Sequence, residues 1–195
     1  MKPVGIFGGT FDPIHTGHLI TAQAVKELRG LEKIIFIPAF ISPHKIEIRN
    51  LDAEHRLNMV KQAIRGISYF DYADIEVKRE SVSYTIDTLR ELKKEYNNLE
   101  LIIGYDNIFD FSTWKDPVEI LKLTKLIVLR RRTYIEPVQK DKYYKSAIFV
   151  DTPTIEISSS EIRQRIVNNL PIDFLVPPAV KEYICKFNLY KEKNN

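Results

Sequence analysis

Apolar residues recur along this chain with two periods that take turns. Short, nearly continuous runs of aliphatic and aromatic residues at Val4–Phe7, Lys33–Pro38, Tyr72–Val77, Leu99–Gly104, Leu126–Arg130 and Ala147–Val150 predict strands. Between them a helical spacing appears in Ile20/Ala24/Leu28, in Leu57/Val60/Ile64 and in Ile86/Leu89/Leu92. Asp52 is placed to cap a helix beginning near Ala53, and Ser158 with Glu161 has the capping-box spacing ahead of Ile162 and Ile166. Pro177 and Pro178 suit the first turn of a last helix carrying Val180, Tyr183 and Ile184. Alternation of strands without a polar face and amphipathic helices predicts an α/β fold, a Rossmann-like doubly wound parallel sheet covered on both sides. No composition break divides it, so one domain over 1–190 is expected, with 191–195 a frayed tail.

Composition narrows the classes of function. With 44% hydrophobic and 28% charged residues the chain has the balance of a globular domain. No apolar run reaches the roughly 20 residues that span a bilayer, and the first residues lack the long apolar segment of a secretion signal. The single cysteine, Cys185, fits a reducing, cytoplasmic setting and falls in an apolar pattern that reads as packing. A net charge of +3, densest at Arg130-Arg131-Arg132 and the lysines at 140, 142 and 145, is too small for a nucleic-acid face and suits a small anionic substrate. The polar, tyrosine-rich stretch Arg132–Lys145 reads as a mobile surface segment. Arg56 and Arg79 read as solvated charges outside any site.

The chemistry concentrates in Gly8-Gly9-Thr10-Phe11-Asp12-Pro13-Ile14-His15-Thr16-Gly17-His18, directly after the first strand. Backbone N–H groups of a Gly-rich strand-to-helix turn converge on an anion, and the helix dipole favours negative charge there. The glycine pair is expected to supply positive φ and close approach to a phosphate, and Gly17 to leave a ligand room against the backbone. His15 and His18, three apart, share a face if the helix has begun by His15. Alone, such a pair reads equally as imidazoles that cap a helix end. In parallel sheets ligands bind beyond the strands' C-terminal ends, which here selects the loops after Phe7, Pro38, Val77, Gly104 and Arg130.

The segment Gly8–His18 resembles the first signature of the nucleotidylyltransferase superfamily and is distantly similar to the H-I-G-H element of class I aminoacyl-tRNA synthetases. Ile157-Ser158-Ser159-Ser160-Glu161-Ile162-Arg163 resembles the superfamily's second signature. Along nearly its whole length the chain is similar to bacterial nicotinate-nucleotide adenylyltransferases. Ser42-Pro43-His44-Lys45, Ser83-Tyr84-Thr85-Ile86-Asp87-Thr88, Gly104-Tyr105-Asp106 followed by Trp114, and Leu129-Arg130-Arg131 carry that finer resemblance. Tyr105 departs from it, since a small residue is usual there.

The resemblance implies transfer of AMP from ATP, which brings its own Mg2+, to nicotinate mononucleotide, releasing pyrophosphate and requiring no metal site of the protein's own. It assigns catalysis to His15 and His18 and ATP binding to these two with Gly8, Gly9, Thr10, Phe11, Gly104, Asp106, Arg131, Ile157, Ser159, Ser160 and Arg163. The pyridine nucleotide falls to His44, Lys45, Tyr84, Thr85, Trp114 and Lys115. Trp114, the only tryptophan, stands among polar residues where an indole face suits a pyridinium ring, although surface packing would also explain it. The partners implied are small molecules, with neither nucleic acid nor membrane; the oligomeric state, a homo-oligomer included, stays open. Pantetheine-phosphate adenylyltransferase, cytidylyltransferases and a non-catalytic nucleotide- or RNA-binding module are the alternatives. Phosphopantetheine enzymes usually carry T-x-G-H where this chain has His15-Thr16-Gly17-His18.

Overall fold

The strands Val4–Gly9 (β1), Ile34–Pro38 (β2), Phe70–Tyr72 (β3), Leu99–Gly104 (β4), Thr124–Arg131 (β5) and Ala147–Thr152 (β6) form a single sheet. All their pairings are parallel, in the order β3-β2-β1-β4-β5-β6. The computed structural model describes residues 2–43, 51–131 and 142–191, with Arg131 described by its backbone alone. Eight helices are described: Thr16–Arg29 (α1), Ala53–Ile64 (α2), Ile75–Arg79 (α3), Thr85–Leu92 (α4), Tyr105–Phe109 (α5), Pro117–Leu123 (α6), Ser159–Val167 (α7) and Pro178–Lys186 (α8).

Alternation along β1 divides the core. Val4 and Ile6 pack with Ile35, Ile37, Leu101 and Ile103 under Ile86 and Leu89 of α4 and Ile120 of α6. Phe7 points the other way, among Val25 of α1, Met59 of α2, Ile162 of α7 and Val180 of α8. Both faces are therefore dry, which lets the strands be apolar throughout. The chain reverses its direction of growth between β1 and β4, and the loops leaving those two strands diverge. That crevice is where such sheets receive ligands.

Several local expectations hold for the reasons given. Asp52 caps α2 by accepting from Glu54 N–H at 2.8 Å, and Ser158 caps α7 by accepting from Glu161 N–H at 3.1 Å. Leu57, Val60 and Ile64 of α2 and Ile86, Leu89 and Leu92 of α4 are buried.

Others need correction. The strand expected at Tyr72–Val77 ends at Tyr72, and Ile75–Arg79 is helical. Polar Asp74 and Glu76 interrupt that run, and Glu76 is itself buried in the helix, accepting a hydrogen bond from Thr88 at 2.7 Å. On α1 the buried positions are Gly17, Ala22 and Val25, while Ile20 and Leu28 of the expected stripe face solvent. Cys185 is exposed rather than packed. In the expected surface segment before β6, the described end carries Tyr144 buried against Phe149, ring centroids 4.5 Å apart; 132–141 lie outside the described residues, as do 192–195 of the expected tail.

Candidate active site

Phe11 makes the turn that leaves β1. Its φ of 49° is left-handed, a costly conformation for an aromatic residue. Its ring is held by the core, edge-on to Phe7, Phe36 and His18. The two preceding glycines serve differently from expectation, since neither has positive φ. A Cβ on Gly9 would sit 3.0 Å from the Phe11 ring, whereas a Cβ on Gly8 would meet no protein atom within 4 Å. Gly17 lines the histidine-containing cleft, as expected, and also makes room for protein, since a Cβ there would sit 3.1 Å from the His15 ring and 3.2 Å from Ile155.

Gly8 thus borders open space, unlike Gly5 on the same strand. A Cβ on Gly5 would stand 2.7 Å from Leu31 and 3.0 Å from Ile102. Gly5→Ala is expected to lose stability, whereas Gly8→Ala should melt like the parent. If Gly8 faces substrate, its alanine variant should raise KM by about tenfold, equivalent to roughly 1.4 kcal/mol. Thermal melts beside steady-state kinetics check this, and a Gly8→Ala enzyme with unaltered KM would remove Gly8 from the site.

His15 and His18 frame the start of α1. His15 is the N-cap, and its N–H donates to His18 Nδ1 at 3.2 Å. An imidazole that accepts at Nδ1 carries its proton at Nε2 when neutral, so His18 is held as an Nε2–H donor. The two rings stack with centroids 3.6 Å apart. Burial pushes the His15 pKa down to about 4, and His18 is pushed well below its ordinary value by burial and then by His15. Both are neutral at pH 7. His15 Nδ1 is buried with no hydrogen-bond partner among the described residues.

Two clefts open beyond the C-terminal ends of the strands. One, of about 680 Å³, is lined by His15, His18, Gly104, Tyr105, Leu129, Thr152 at the end of β6, and Pro153 and Ile155 beyond it. The other, of about 440 Å³, is lined by Gly9, Thr10, Ser42, Tyr84, Thr85, Thr113, Trp114 and Lys115. Gly8, Asp106 and Asn107 line both and mark where they meet. At the rim of the second, Lys115 Nζ lies 4.6 Å over the Tyr84 ring and 2.9 Å from Asp87. Tyr105 packs edge-on to Phe109 at the rim of the first.

The second signature lines neither cleft. Ser159 Oγ donates to Pro13 O at 2.9 Å, and Arg163 donates to Asp12 O at 2.7 Å and to Ser160 Oγ at 3.2 Å. Ile157 packs beside the core. These residues grip the first signature from behind. Asp12, 5% exposed, also accepts from Tyr190 O–H at 2.7 Å. His44 and Lys45 lie outside the described residues, and Arg131 is described only as the last residue of β5.

Comparison with known proteins gives the family. A family model described as cytidylyltransferase-like matches residues 6–165. A Dehalococcoides mccartyi protein (strain BAV1) named "probable nicotinate-nucleotide adenylyltransferase" is 43% identical over 97% of this chain and 97% of its own. One of the same name from Thermoanaerobacter sp. (strain X514) is 40% identical over 97% of this chain and 94% of its own. The chain belongs to the nicotinate-nucleotide adenylyltransferase family. As a member of that family it is a nucleotidyltransferase. Its fold is shared with the Plasmodium falciparum nicotinic acid mononucleotide adenylyltransferase complexed with NaAD, at a TM-score of 0.76 and 23% identity, covering 97% of this chain and 98% of that one.

Arg56 is the residue of this adenylyltransferase that sequence reasoning misplaced. It is 1% exposed, not solvated. Asn107, Thr21 and the Thr152–Ile155 loop also went unnoticed, although all are at a cleft. The rule that ligands sit beyond strand ends would have found the last of these had it been extended to β6. Among the described residues, no three of His, Cys, Asp and Glu are grouped to hold a metal ion, and no helix is long and apolar enough to cross a membrane.

Proposed function

We propose that this nucleotidyltransferase moves AMP from ATP to nicotinate mononucleotide, giving nicotinate adenine dinucleotide and pyrophosphate. The observation that carries the proposal is the pair of clefts meeting at Gly8, Asp106 and Asn107, one holding the two histidines and the other the indole of Trp114. A two-substrate transfer needs two pockets with one reacting centre between them. The names of the relatives support the choice of acceptor.

The acceptor's phosphate is already anionic at neutral pH and needs no strong base. Its oxygen attacks the α-phosphorus of ATP, the bond from that phosphorus to the bridging oxygen breaks, and pyrophosphate leaves. Magnesium enters as part of the ATP substrate, where it neutralises phosphate charge. The protein's own work is alignment and stabilisation of building negative charge. His18 donates from Nε2 to the α-phosphate region, with His15 beside it. Neutral rings do not repel one another while the site is empty, and an arriving polyanion favours their protonated forms. The N–H groups of Thr10 and Phe11 take phosphate oxygens, and Asp106 accepts from a ribose hydroxyl. Ser159, Ser160 and Arg163 brace from behind the turn whose amides take those oxygens.

On the acceptor side, Trp114 and Tyr84 offer aromatic faces to the pyridinium ring, with N–H groups near Thr85 and Lys115 facing its carboxylate. Stacking of a cationic ring on indole contributes about 1–2 kcal/mol. Trp114→Ala is therefore expected to raise KM for nicotinate mononucleotide by about tenfold and to leave KM for ATP nearly unchanged. Equal changes for both substrates would count against stacking. The deciding assay is pyrophosphate release from ATP with nicotinate mononucleotide, nicotinamide mononucleotide and phosphopantetheine compared in parallel. Faster turnover with phosphopantetheine would transfer the assignment to the neighbouring enzyme class.

A further inference from the structure

Arg56, in the first turn of α2, puts a full guanidinium where only 1% of the residue meets solvent. Among the described residues, every hydrogen-bond acceptor of its side chain is a main-chain carbonyl. Nε donates to Leu51 O at 2.8 Å, Nη1 to Thr10 O at 2.7 Å and to Ala39 O at 2.6 Å, and Nη2 to Phe40 O at 2.9 Å. Among the described residues no carboxylate lies within ion-pair distance of it. Burying a charge costs several kcal/mol unless its surroundings compensate. An apolar side chain could hold α2 against the sheet without that penalty, so packing does not account for the guanidinium.

The carbonyls it gathers belong to the two loops that carry the clefts. Thr10 is on the turn leaving β1, which runs from Gly8, where the clefts meet, to His15 of the histidine-lined cleft; Ala39 and Phe40 begin the loop leaving β2, and Thr10, Ala39 and Ser42 together line the tryptophan-lined cleft. A second contact fixes the same peptide from its other side, since Phe40 N–H donates to Ser83 Oγ at 2.9 Å. Ser83 in turn belongs to the wall that includes Tyr84. Phe40 is thus pinned at carbonyl and amide together.

We propose that Arg56 is a positioning residue of the transfer reaction, its guanidinium fixing the separation of the β1-exit turn and the β2-exit loop so that two bound substrates meet at reacting distance. The proposal rests on the two-substrate transfer described above. A planar guanidinium with five divergent N–H donors spans all four carbonyls at once, whereas a lysine ammonium has three donors clustered at one point and cannot hold the same four in place.

The role makes an unusual kinetic signature. Each substrate still finds its own cleft, so binding of either alone is preserved, while transfer between them fails. In Arg56→Lys, kcat is expected to fall at least about tenfold, because displacements near 1 Å between reacting groups cost up to 10²-fold. Dissociation constants of ATP and of nicotinate mononucleotide, each measured alone by calorimetry, should move by less than about threefold, well under 1.4 kcal/mol. Ser83→Ala, a smaller change at the other face of Phe40, should give the same split in weaker form and decides the matter if Arg56→Lys does not fold. A folded Arg56→Lys with parental kcat, a fall in kcat matched by equal losses in both binary affinities, or an unfolded Arg56→Lys beside a Ser83→Ala with parental kcat overturns the proposal. The parent enzyme is assayed alongside; if it releases no pyrophosphate with any acceptor, the transfer reading fails instead.

Discussion

Replacing His18 by alanine is expected to lower kcat by roughly 10²-fold or more, the usual loss when one preorganised donor to a developing charge is removed. The expectation comes from how the ring is held. Its Nδ1 accepts from the His15 amide, so the proton is kept on Nε2, and the ring is wedged between His15 at 3.6 Å and Phe11 at 5.1 Å. A donor so constrained needs no reorganisation when charge builds on phosphorus. Ground-state contacts to ATP are shared with the turn's amides, so KM for ATP should change much less than kcat. Alanine removes packing as well as the donor, and a melting curve is needed beside the rates. A well-folded His18→Ala enzyme with the parental kcat would falsify the role.

Acid should destabilise the fold through the same two rings. The folded pKa of His15 is depressed to about 4 from an ordinary 6.5, and His18 shifts the same way. Above pH 6.5 both folded and unfolded chains hold these rings neutral, and nothing is lost. As pH falls below 6.5 the unfolded chain takes up protons that the folded chain refuses, so stability declines until the folded rings protonate too. Between pH 6.5 and about 4, His15 alone accounts for a loss of about 3 kcal/mol. Urea unfolding at pH 7 and pH 4.5 measures it, with His15→Gln as the reference that cannot titrate. If the parent and His15→Gln lose stability equally over that interval, the His15 ring is not buried in its neutral form. Bound polyphosphate should oppose the loss, since an anion makes protonation of the folded rings less costly.

The architecture was legible because its causes are periodic. Strands buried on both faces must be apolar throughout, and that pattern located five of the six strands with small errors at their ends. It failed at Tyr72–Val77 because the apolar residues there are interrupted by Asp74 and Glu76, and the burial of Glu76 against Thr88 is a tertiary contact that the run does not show. The stripe on α1 failed for a related reason. Gly17 and His18 dock that helix by fitting the His15 ring, and this sets a rotation that leaves Ile20 and Leu28 outside. At the site, residues that advertise chemistry were easy to find: two histidines, a lone tryptophan, a glycine pair. Arg56 was not, because a charged residue on an amphipathic helix ordinarily lies in water, and only the three-dimensional convergence of four carbonyls makes its burial intelligible. The second signature was located correctly in sequence, yet its contact with the backbone of Asp12 and Pro13 depends on a turn that no spacing rule describes.

The acceptors of Arg56 have a consequence for redesign. Carbonyl oxygens of Leu51, Thr10, Ala39 and Phe40 belong to the main chain, and no exchange of side chain deletes them. Libraries that vary positions 10, 39, 40 and 51 to recruit a different acceptor would therefore leave the joint between the loops in place. The fragility of that joint is concentrated at two codons, chiefly the one for residue 56 and secondarily the one for residue 83.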